Sequence, residues 1–240
     1  MRTLTVITLV IISVSVGSVM AQTVAFQNDF DHDTPGLAPI SDPPGDPDGD
    51  ILGLITTGGP ITVQESVGDI TGQPVLMDRQ ETGGFSLQAW LDPDMWYCDN
   101  YSIRWRSASR HNLSFFSIAA YSANDKLLSG VEYRQGYILN FRGSNLEVPG
   151  GYQRDVVQEF EITLDMVAKT TSLSVDGVPI PDCQDIAQFN VTGDGLNRVF
   201  FSPGGVDPLQ FVVDDIEITS DCSGTPIEGI NWGAVKALYR

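Results

Sequence analysis

Arginine side chains are concentrated in the middle of this chain. Six of the ten arginines lie between positions 104 and 154: Arg104, Arg106, Arg110, Arg134, Arg142 and Arg154. The alternation of Tyr101-Ser-Ile-Arg-Trp-Arg-Ser107 predicts a strand with Arg104 and Arg106 on its polar face. Guanidinium groups bind carboxylates and sulfates through paired hydrogen bonds, and aromatic rings stack on sugars. The pattern therefore indicates a binding face.

Two interpretations of this arginine-rich face remain open. If the strands are neighbours, Arg134 and Arg142 join Arg104 and Arg106, and Tyr133 lies at the edge with Tyr121, Tyr137 and Tyr152. The face would then hold a glycan, including an anionic one, and the predicted ligand-binding residues are Arg104, Arg106, Arg134, Arg142 and Tyr133. Alternatively, the arginines pair with surplus carboxylates as a cross-strand charge ladder.

Catalytic residues have little support in the sequence. A retaining glycosidase needs two carboxylates about 5 Å apart, and the nearest candidates are Glu159 and Glu161. The two histidines, His32 and His111, lie in neither a Ser/His/Asp nor a zinc-binding context. The pattern favours binding over catalysis and leaves the question of enzyme activity open.

Carboxylates also interrupt the last apolar stretch, Phe211-Val-Val-Asp-Asp-Ile-Glu-Ile218. Its alternation predicts one strand face with Val212, Asp214, Ile216 and Ile218, and another with Val213, Asp215 and Glu217. An aspartate on the core side needs backbone N–H groups, a basic side chain or a cation to compensate its charge.

Many short β-type segments separated by turn residues position these side chains. In Gln158-Glu-Phe-Glu-Ile-Thr-Leu-Asp165, for example, Phe160, Ile162 and Leu164 face the core and Glu159, Glu161 and Thr163 face water. Alternation of this kind, with almost no helical periodicity, predicts an all-β fold: a two-sheet antiparallel jelly-roll β-sandwich.

Composition limits the partners and the compartment. The formal net charge of −18 repels nucleic acid and suits divalent cations. Three cysteines, Cys98, Cys183 and Cys222, follow the N-terminal segment. We predict a Cys183–Cys222 disulfide, with free buried thiols as the alternative.

The two ends of the chain differ from its middle. Residues 1–21 have a basic start, an apolar run and a Val-Met-Ala exit, which predicts a cleavable signal peptide and a secreted or cell-surface protein. The sandwich domain is expected over 22–222. Residues 223–240 form a linker and a short tail, whose apolar positions are compatible with a helix.

Three motifs carry a resemblance to known families. Asn28-Asp-Phe-Asp31, Leu164-Asp165 with Ser172-Leu-Ser-Val-Asp-Gly177, and Val212-Val-Asp-Asp-Ile-Glu-Ile218 resemble the concanavalin A-like (laminin G-like) jelly-roll superfamily. The first and last are also similar to motifs of the family 4/9 carbohydrate-binding modules. In those modules the first and last strands share a structural calcium ion. The resemblance therefore implies calcium ligands among Asp29, Asp31, Asp214 and Asp215.

The ending Trp232-Gly-Ala-Val-Lys-Ala-Leu-Tyr-Arg240 resembles Trp-Gly-x-x-Lys-x-x-Tyr-Arg tails of exported bacterial proteins. That resemblance implies sorting or anchoring by surface machinery, and docking on the sandwich is the alternative. The sequence as a whole predicts a secreted lectin-like module that binds a glycan or another cell-surface component. A glycoside hydrolase or polysaccharide lyase on the same scaffold and a structural surface protein are the alternatives.

Overall fold

The computed structural model describes residues 22–31, 33–39, 55–57, 61–67, 70–79, 85–110, 115–142, 146–203 and 209–222. The signal peptide predicted over 1–21 and the tail over 223–240 lie outside these ranges, so both stay predictions. Within the described part of the chain, no helix combines the length and the apolar character needed to cross a bilayer.

Strands make up nearly all of the regular structure in these ranges, together with 3-10 turns at Pro93–Met95 and Pro181–Cys183. The first nine strands are β1 Thr23–Asn28, β2 Ile55–Thr57, β3 Ile61–Val63, β4 Ser66–Val67, β5 Ile70–Thr71, β6 Val75–Arg79, β7 Ser86–Trp90, β8 Asn100–Ser109 and β9 Phe115–Tyr121. The others are β10 Leu127–Arg134, β11 Ile138–Arg142, β12 Leu146–Pro149, β13 Gln158–Asp165, β14 Thr170–Val175, β15 Val178–Pro179, β16 Ile186–Ala187, β17 Arg198–Pro203 and β18 Leu209–Ser220.

Two large antiparallel sheets contain these strands. Sheet A has nine strands in the order β15-β14-β13-β8-β18-β6-β3, with β1 also paired to β18 and β16 to β14. Sheet B has seven in the order β12-β11-β10-β9-β17-β7-β2, and β4 pairs with β5 in a separate ribbon. The sheets pack face to face through aromatic contacts: Phe116 of β9 stacks on Phe211 of β18 with ring centroids 3.8 Å apart. The predicted two-sheet antiparallel jelly-roll β-sandwich is confirmed.

The alternation predicted for β8 and β13 is also confirmed. Trp105 and Phe160, directly opposite in the register, are buried and stack with ring centroids 5.5 Å apart. Arg104 and Arg106 lie on the other side of β8, where they face away from sheet B. Uninterrupted period-two alternation was sufficient to place these side chains.

The alternation predicted for β18 holds through Asp214 and is wrong from Asp215 onward. Asp214 pairs with Arg106 and Glu217 with Arg104, so two residues of β18 lie opposite the single residue Trp105. This β-bulge contains Asp215, whose φ of 48° lies in the left-handed region. Since one residue is inserted, the strand reverses its faces at the bulge.

The reversal separates side chains that the sequence grouped together. Phe211 and Val213 reach the main core before the bulge, and Ile216 and Ile218 reach it afterwards. Val212 instead belongs to a small second cluster with Ile70 of β5, on the outer side of sheet A. Because side chains alternate, Asp214 shares this outer side with Val212, and it is buried there without facing sheet B.

The first and last of the described strands lie side by side, as the resemblance to the carbohydrate-binding modules implied. Strand β1 pairs antiparallel with the second half of β18, and Asn28 lies opposite Ile216. Asp29 and Asp31, which follow β1, are consequently near the bulge of β18.

The predicted Cys183–Cys222 disulfide is wrong. Cys222 bonds to Cys98, with Cα atoms 5.0 Å apart, and Cys183 is a free buried cysteine. Cys98 precedes β8 and Cys222 follows β18, and these strands are antiparallel neighbours whose ends meet. Burial also raises the pKa of the Cys183 thiol to about 11.

Candidate functional site

Both arginines on the outer face of sheet A form ion pairs. Arg104 Nε lies 3.2 Å from Glu161 Oε1, and its Nη1 lies 3.8 Å from Glu217 Oε1. Arg106 Nη1 donates to Asp215 Oδ2 at 2.7 Å, and this hydrogen bond raises the pKa of Arg106. The cross-strand charge ladder, which was the alternative interpretation, is the arrangement observed here.

The two candidate catalytic carboxylates lie on the same outer face. Glu161 accepts hydrogen bonds from Arg104 Nε and, at 2.6 Å, from Ser102 Oγ. Glu159 is exposed and lines an open cavity of about 250 Å³ together with Arg104 and Arg106. The structure therefore brings Glu159 beside the ladder and leaves Glu161 engaged in it.

Asp214 is the most perturbed acid of this sheet. Asp214 is 2% exposed, and its Oδ1 has no hydrogen-bond partner among the residues that the structure describes. Burial, reinforced by the neighbouring Asp215 charge, raises the pKa of Asp214 to about 7. A buried oxygen without a partner fits a cation or a bound proton equally well.

The other predicted calcium ligands point to different partners. Asp215 binds Arg106, and Asp31 Oδ1 accepts the backbone N–H of Gln73 at 2.9 Å. Asp29 Oδ1 accepts the N–H of Asp31 at 3.0 Å. No group of three or more His, Cys, Asp and Glu among the described residues is placed to hold a metal ion. The predicted set of four does not converge, and Asp31 and Asp214 remain the pair to test.

Arg134 and Arg142 lie on the opposite side of the molecule from Arg104 and Arg106. They belong to β10 and β11 of sheet B, so the predicted single arginine-rich face is wrong. Sheet membership depends on which strands pair, and alternation along one strand carries no information on that. The four arginines divide into two pairs, one on each outer face.

Tyr133 also departs from its predicted position at the edge of a binding face. It is 1% exposed and packs in the main core, with its ring centroid 5.0 Å from that of Phe211. Its hydroxyl accepts from Trp105 Nε1 at 3.3 Å, and burial raises the pKa of the phenol well above its usual range. The neighbouring Glu132 points outward instead, because adjacent residues of a strand face opposite sides.

Glu132 is the centre of a polar cluster on the outer face of sheet B. It is 1% exposed, and Arg134 Nη2 lies 2.6 Å from its Oε2. Arg142 forms an ion pair with its other oxygen, and Asn140 Nδ2 donates to Oε2 at 3.1 Å. Asn140 is 2% exposed, and within the described part of the chain its Oδ1 has no hydrogen-bond partner. A buried carboxylate and a free amide acceptor therefore lie side by side.

A row of aromatic residues continues the same face across β7, β17 and β9. Trp90, Arg198 and Tyr121 lie opposite one another in the register. The guanidinium carbon of Arg198 lies 4.8 Å from the Trp90 ring centroid and 5.0 Å from that of Tyr121, which is a cation–π arrangement. Arg198 Nη1 also donates to Asp125 Oδ1 at 2.7 Å.

Phe200 adds a third partly exposed ring beside this row. Its centroid lies 6.3 Å from that of Tyr121 in an edge-to-face arrangement. We call the cluster and the row together the sheet B face; it comprises Trp90, Tyr121, Glu132, Arg134, Asn140, Arg142, Arg198 and Phe200.

Most of the sheet B face was missed by sequence reasoning. The alternation in Arg198-Val-Phe-Phe-Ser202 places Arg198, Phe200 and Ser202 on one side, which was a usable signal. An aromatic residue on a polar side is an exception to the usual rule that large apolar side chains are buried. Exposed aromatic residues mark binding surfaces when several of them lie close together in space. That these residues lie on one face follows only from the order of the strands in sheet B.

No protein-family model and no curated protein sequence matches the chain. Among solved structures, a sialidase matches with a TM-score of 0.53 and 11% identity, over 67% of this chain and 17% of the sialidase. A conserved carbohydrate esterase from the Shiga toxin-encoding bacteriophage phi24B matches with a TM-score of 0.53 and 12% identity, over 83% of this chain and 99% of that protein. At these identities the similarities show a shared β-sandwich fold and nothing finer.

Proposed function

We propose that this protein is an exported, non-catalytic, lectin-like module that binds a glycan on the sheet B face. The observation that carries the proposal is the combination found there: three partly exposed aromatic rings, and a buried acceptor group on the same outer face of sheet B, two or more strands from the rings. Small-ligand sites characteristically pair apolar and aromatic area with a few well-placed polar groups. The fold itself supports many functions, so the proposal rests on the residues of the face.

The rings and the polar cluster would have different roles. Trp90, Tyr121 and Phe200 supply aromatic area on which the C–H face of a sugar ring can pack. Asn140 Oδ1 supplies an acceptor that a sugar hydroxyl can satisfy, and a satisfied buried acceptor is more stable than an orphaned one. Stacking would provide affinity, and the hydrogen bond would provide orientation.

A glycan-array screen of the purified mature protein tests this proposal. Phe200→Ala and Tyr121→Ala should each weaken binding about tenfold, in line with the loss of one stacked ring. The matched control is Arg104→Ala with Arg106→Ala on sheet A, which should leave binding unchanged. Loss of binding in the arginine double variant alone would move the site to sheet A, and an absence of binding to any glycan would refute the proposal.

The alternative function is a glycoside hydrolase or polysaccharide lyase that uses the cavity lined by Glu159 on sheet A. One observation favours it: Glu159 is exposed at that cavity, beside Glu161. Release of reducing ends or of unsaturated sugars that disappears in both Glu159→Gln and Glu161→Gln would establish the enzyme. Loss in only one variant would argue against a two-carboxylate mechanism.

A structural calcium ion held by Asp31 and Asp214 is a separate proposal. Calcium takes oxygen ligands, and the unpartnered Oδ1 of Asp214 is one that a cation could use. Addition of a chelator should lower the melting temperature of the wild type and leave Asp214→Asn unchanged. A melting temperature that is the same with and without chelator would refute the proposed structural calcium ion.

Export is proposed from the leader sequence and is supported by the Cys98–Cys222 disulfide, since disulfides persist in oxidising compartments. Sequencing of the mature N-terminus should give Gln22. Attachment through residues 223–240 to surface machinery predicts that their deletion releases the protein into the medium. Unaltered surface retention of the deletion variant would leave the tail with no anchoring role.

A further inference from the structure

The charges of the sheet B face are matched among themselves. Arg198 is paired with Asp125 at 2.7 Å, and Arg134 lies within 3.5 Å of Glu147 as well as contacting Glu132. Arg142 is paired with Glu132. Among the described residues, three arginines of the face thus meet three carboxylates, so the face carries no surplus of positive charge.

An acidic ligand would have to break these pairs. An incoming carboxylate or sulfate that took Arg142 would remove a partner of Glu132, which is 1% exposed. A buried carboxylate that loses its cation is strongly destabilised. An anion that took Arg198 would have to displace Asp125 and also fit between the rings of Trp90 and Tyr121.

The net charge of the whole chain also disfavours an anionic ligand. The net charge of −18 produces a field that repels polyanions before contact. In addition, the buried polar atom of the face that lacks a partner among the described residues, Asn140 Oδ1, is an acceptor, and it suits a hydroxyl donor better than an anion.

We infer that the sheet B face takes a neutral polysaccharide and rejects uronate-bearing or sulfated ones. This inference rests on the proposed glycan-binding function and narrows its substrate class. Recognition then depends on stacking of sugar on the aromatic rings and on sugar hydroxyl groups that donate to buried acceptors. The arginines have a structural role through their ion pairs.

The test compares each neutral polysaccharide with its own charged derivative on the full mature chain. Suitable pairs are dextran with dextran sulfate and hydroxyethyl cellulose with carboxymethyl cellulose. For at least one pair, the neutral member should bind about tenfold more tightly at low salt. Its affinity should change less than about twofold between roughly 0.05 M and 0.5 M NaCl, since no ion pair is formed with it.

A gain-of-function variant makes the test sharper. Asp125→Asn removes the carboxylate that occupies Arg198, and asparagine tolerates the left-handed φ of 59° at this position. This variant should bind the sulfated probe more tightly than the wild type does. The matched control is Asp155→Asn: Asp155 also has a left-handed φ, of 57°, and pairs with Arg110 and Arg154 away from the sheet B face. It should leave binding of the sulfated probe unchanged.

The outcomes separate the two proposals. Charged derivatives that bind as well as or better than their neutral parents would overturn the inference and keep the glycan-binding function. Failure of Asp125→Asn to increase binding of the sulfated probe would overturn the role assigned to the ion pairs. No binding to any member of any pair would refute the proposed function itself.

Discussion

Glu132 shows how a single residue can organise a surface. Its carboxylate is almost fully buried, yet it lies on an outer face, covered by Arg134 and Arg142. The long arginine side chains can shield the carboxylate while their own guanidinium groups remain partly exposed to water. The carboxylate in turn fixes the two guanidinium groups and the amide of Asn140. The arginines that looked like ligand-binding residues in the sequence are therefore held by an internal carboxylate.

Removing Glu132 should be costly for stability. We predict that Glu132→Ala lowers the free energy of unfolding by about 3 kcal/mol, because two guanidinium groups lose their buried partner. Urea denaturation measures the change. The control is Glu147→Ala, which also removes a partner of Arg134 but is 58% exposed, and should cost less than about 0.5 kcal/mol. Equal costs for the two variants would contradict the role assigned to burial.

Asp214 should give stability a measurable pH dependence. Its pKa is raised to about 7 in the folded protein, while the ordinary value of 3.8 applies to the unfolded chain. Between these values the folded state keeps the proton that the unfolded state has lost, so stability falls as pH rises from about 4 to about 7. Below about pH 4 Asp214 is protonated in both the folded and the unfolded state, so it adds no pH dependence there. Above about pH 7 it is ionised in both states, and the loss of stability stays constant.

Asp214→Asn should remove this component of the pH profile. At pH 8 the variant should be more stable than the wild type by roughly 2 to 4 kcal/mol, since it avoids ionising a buried group. Denaturant melts in chelator-containing buffer across the pH range provide the comparison. Glu217→Gln, on the same strand but partly exposed, should retain the wild-type profile. Parallel profiles for wild type and Asp214→Asn would refute the assignment.

At the scale of elements, β18 shows where prediction of strand faces from the sequence fails. Strands β8 and β13 alternate without interruption, and their faces were predicted correctly from the period alone. In β18 the bulge at Asp215 shifts the phase by one residue, and no turn residue such as glycine marks that position in the sequence. An aspartate in a left-handed conformation is only moderately unfavourable, so the bulge leaves little trace in residue type.

The arrangement of elements was less predictable than their faces. That β10 and β11 lie in a different sheet from β8 follows from long-range pairing, to which each strand's own pattern contributes nothing. The same limit applies to the disulfide. Cys98 and Cys222 are 124 residues apart and meet only because β8 and β18 are neighbours. The sheet B face was missed for this reason, since its rings come from three strands far apart in the chain.

Because Asp215 lies in the bulge, we expect two substitutions at this position to change stability by different amounts. Asp215→Val should destabilise the fold by about 2 kcal/mol, because a β-branched side chain is strained at a φ of 48°. Asp215→Gly should change stability by less than about 1 kcal/mol: it relieves the backbone but loses an ion pair whose side chains are 33% and 44% exposed. Thermal and denaturant melts distinguish the two variants.

The matched control for the bulge is Glu217→Val, two residues along the same strand. Valine suits an ordinary strand position, so this variant should cost less than about 0.5 kcal/mol. If Asp215→Val proves no more costly than Glu217→Val, the left-handed conformation at Asp215 is not a property of the folded protein.

At the scale of the whole molecule, the disulfide fastens the last strand to the rest of sheet A. Strand β18 is an interior strand of the sheet, paired with β8 on one side and with β6 and β1 on the other. Cys222 follows its end and bonds to Cys98, so the bond closes most of the sandwich into one loop. A cross-link of this length greatly restricts the unfolded chain.

Removing the bond should therefore lower stability substantially while leaving the fold intact. We predict that the double variant Cys98→Ser/Cys222→Ser loses about 4 kcal/mol of unfolding free energy, and that a reductant lowers the wild-type melting temperature. Cys183→Ala is the matched control: it removes the buried free thiol, should keep the response to reductant, and should cost only the packing of one small side chain. Peptide mapping without reduction should recover the 98–222 link in both the wild type and this control. Recovery of a 183–222 link instead, or a melting temperature indifferent to reductant, would show that β18 is not fastened in this way.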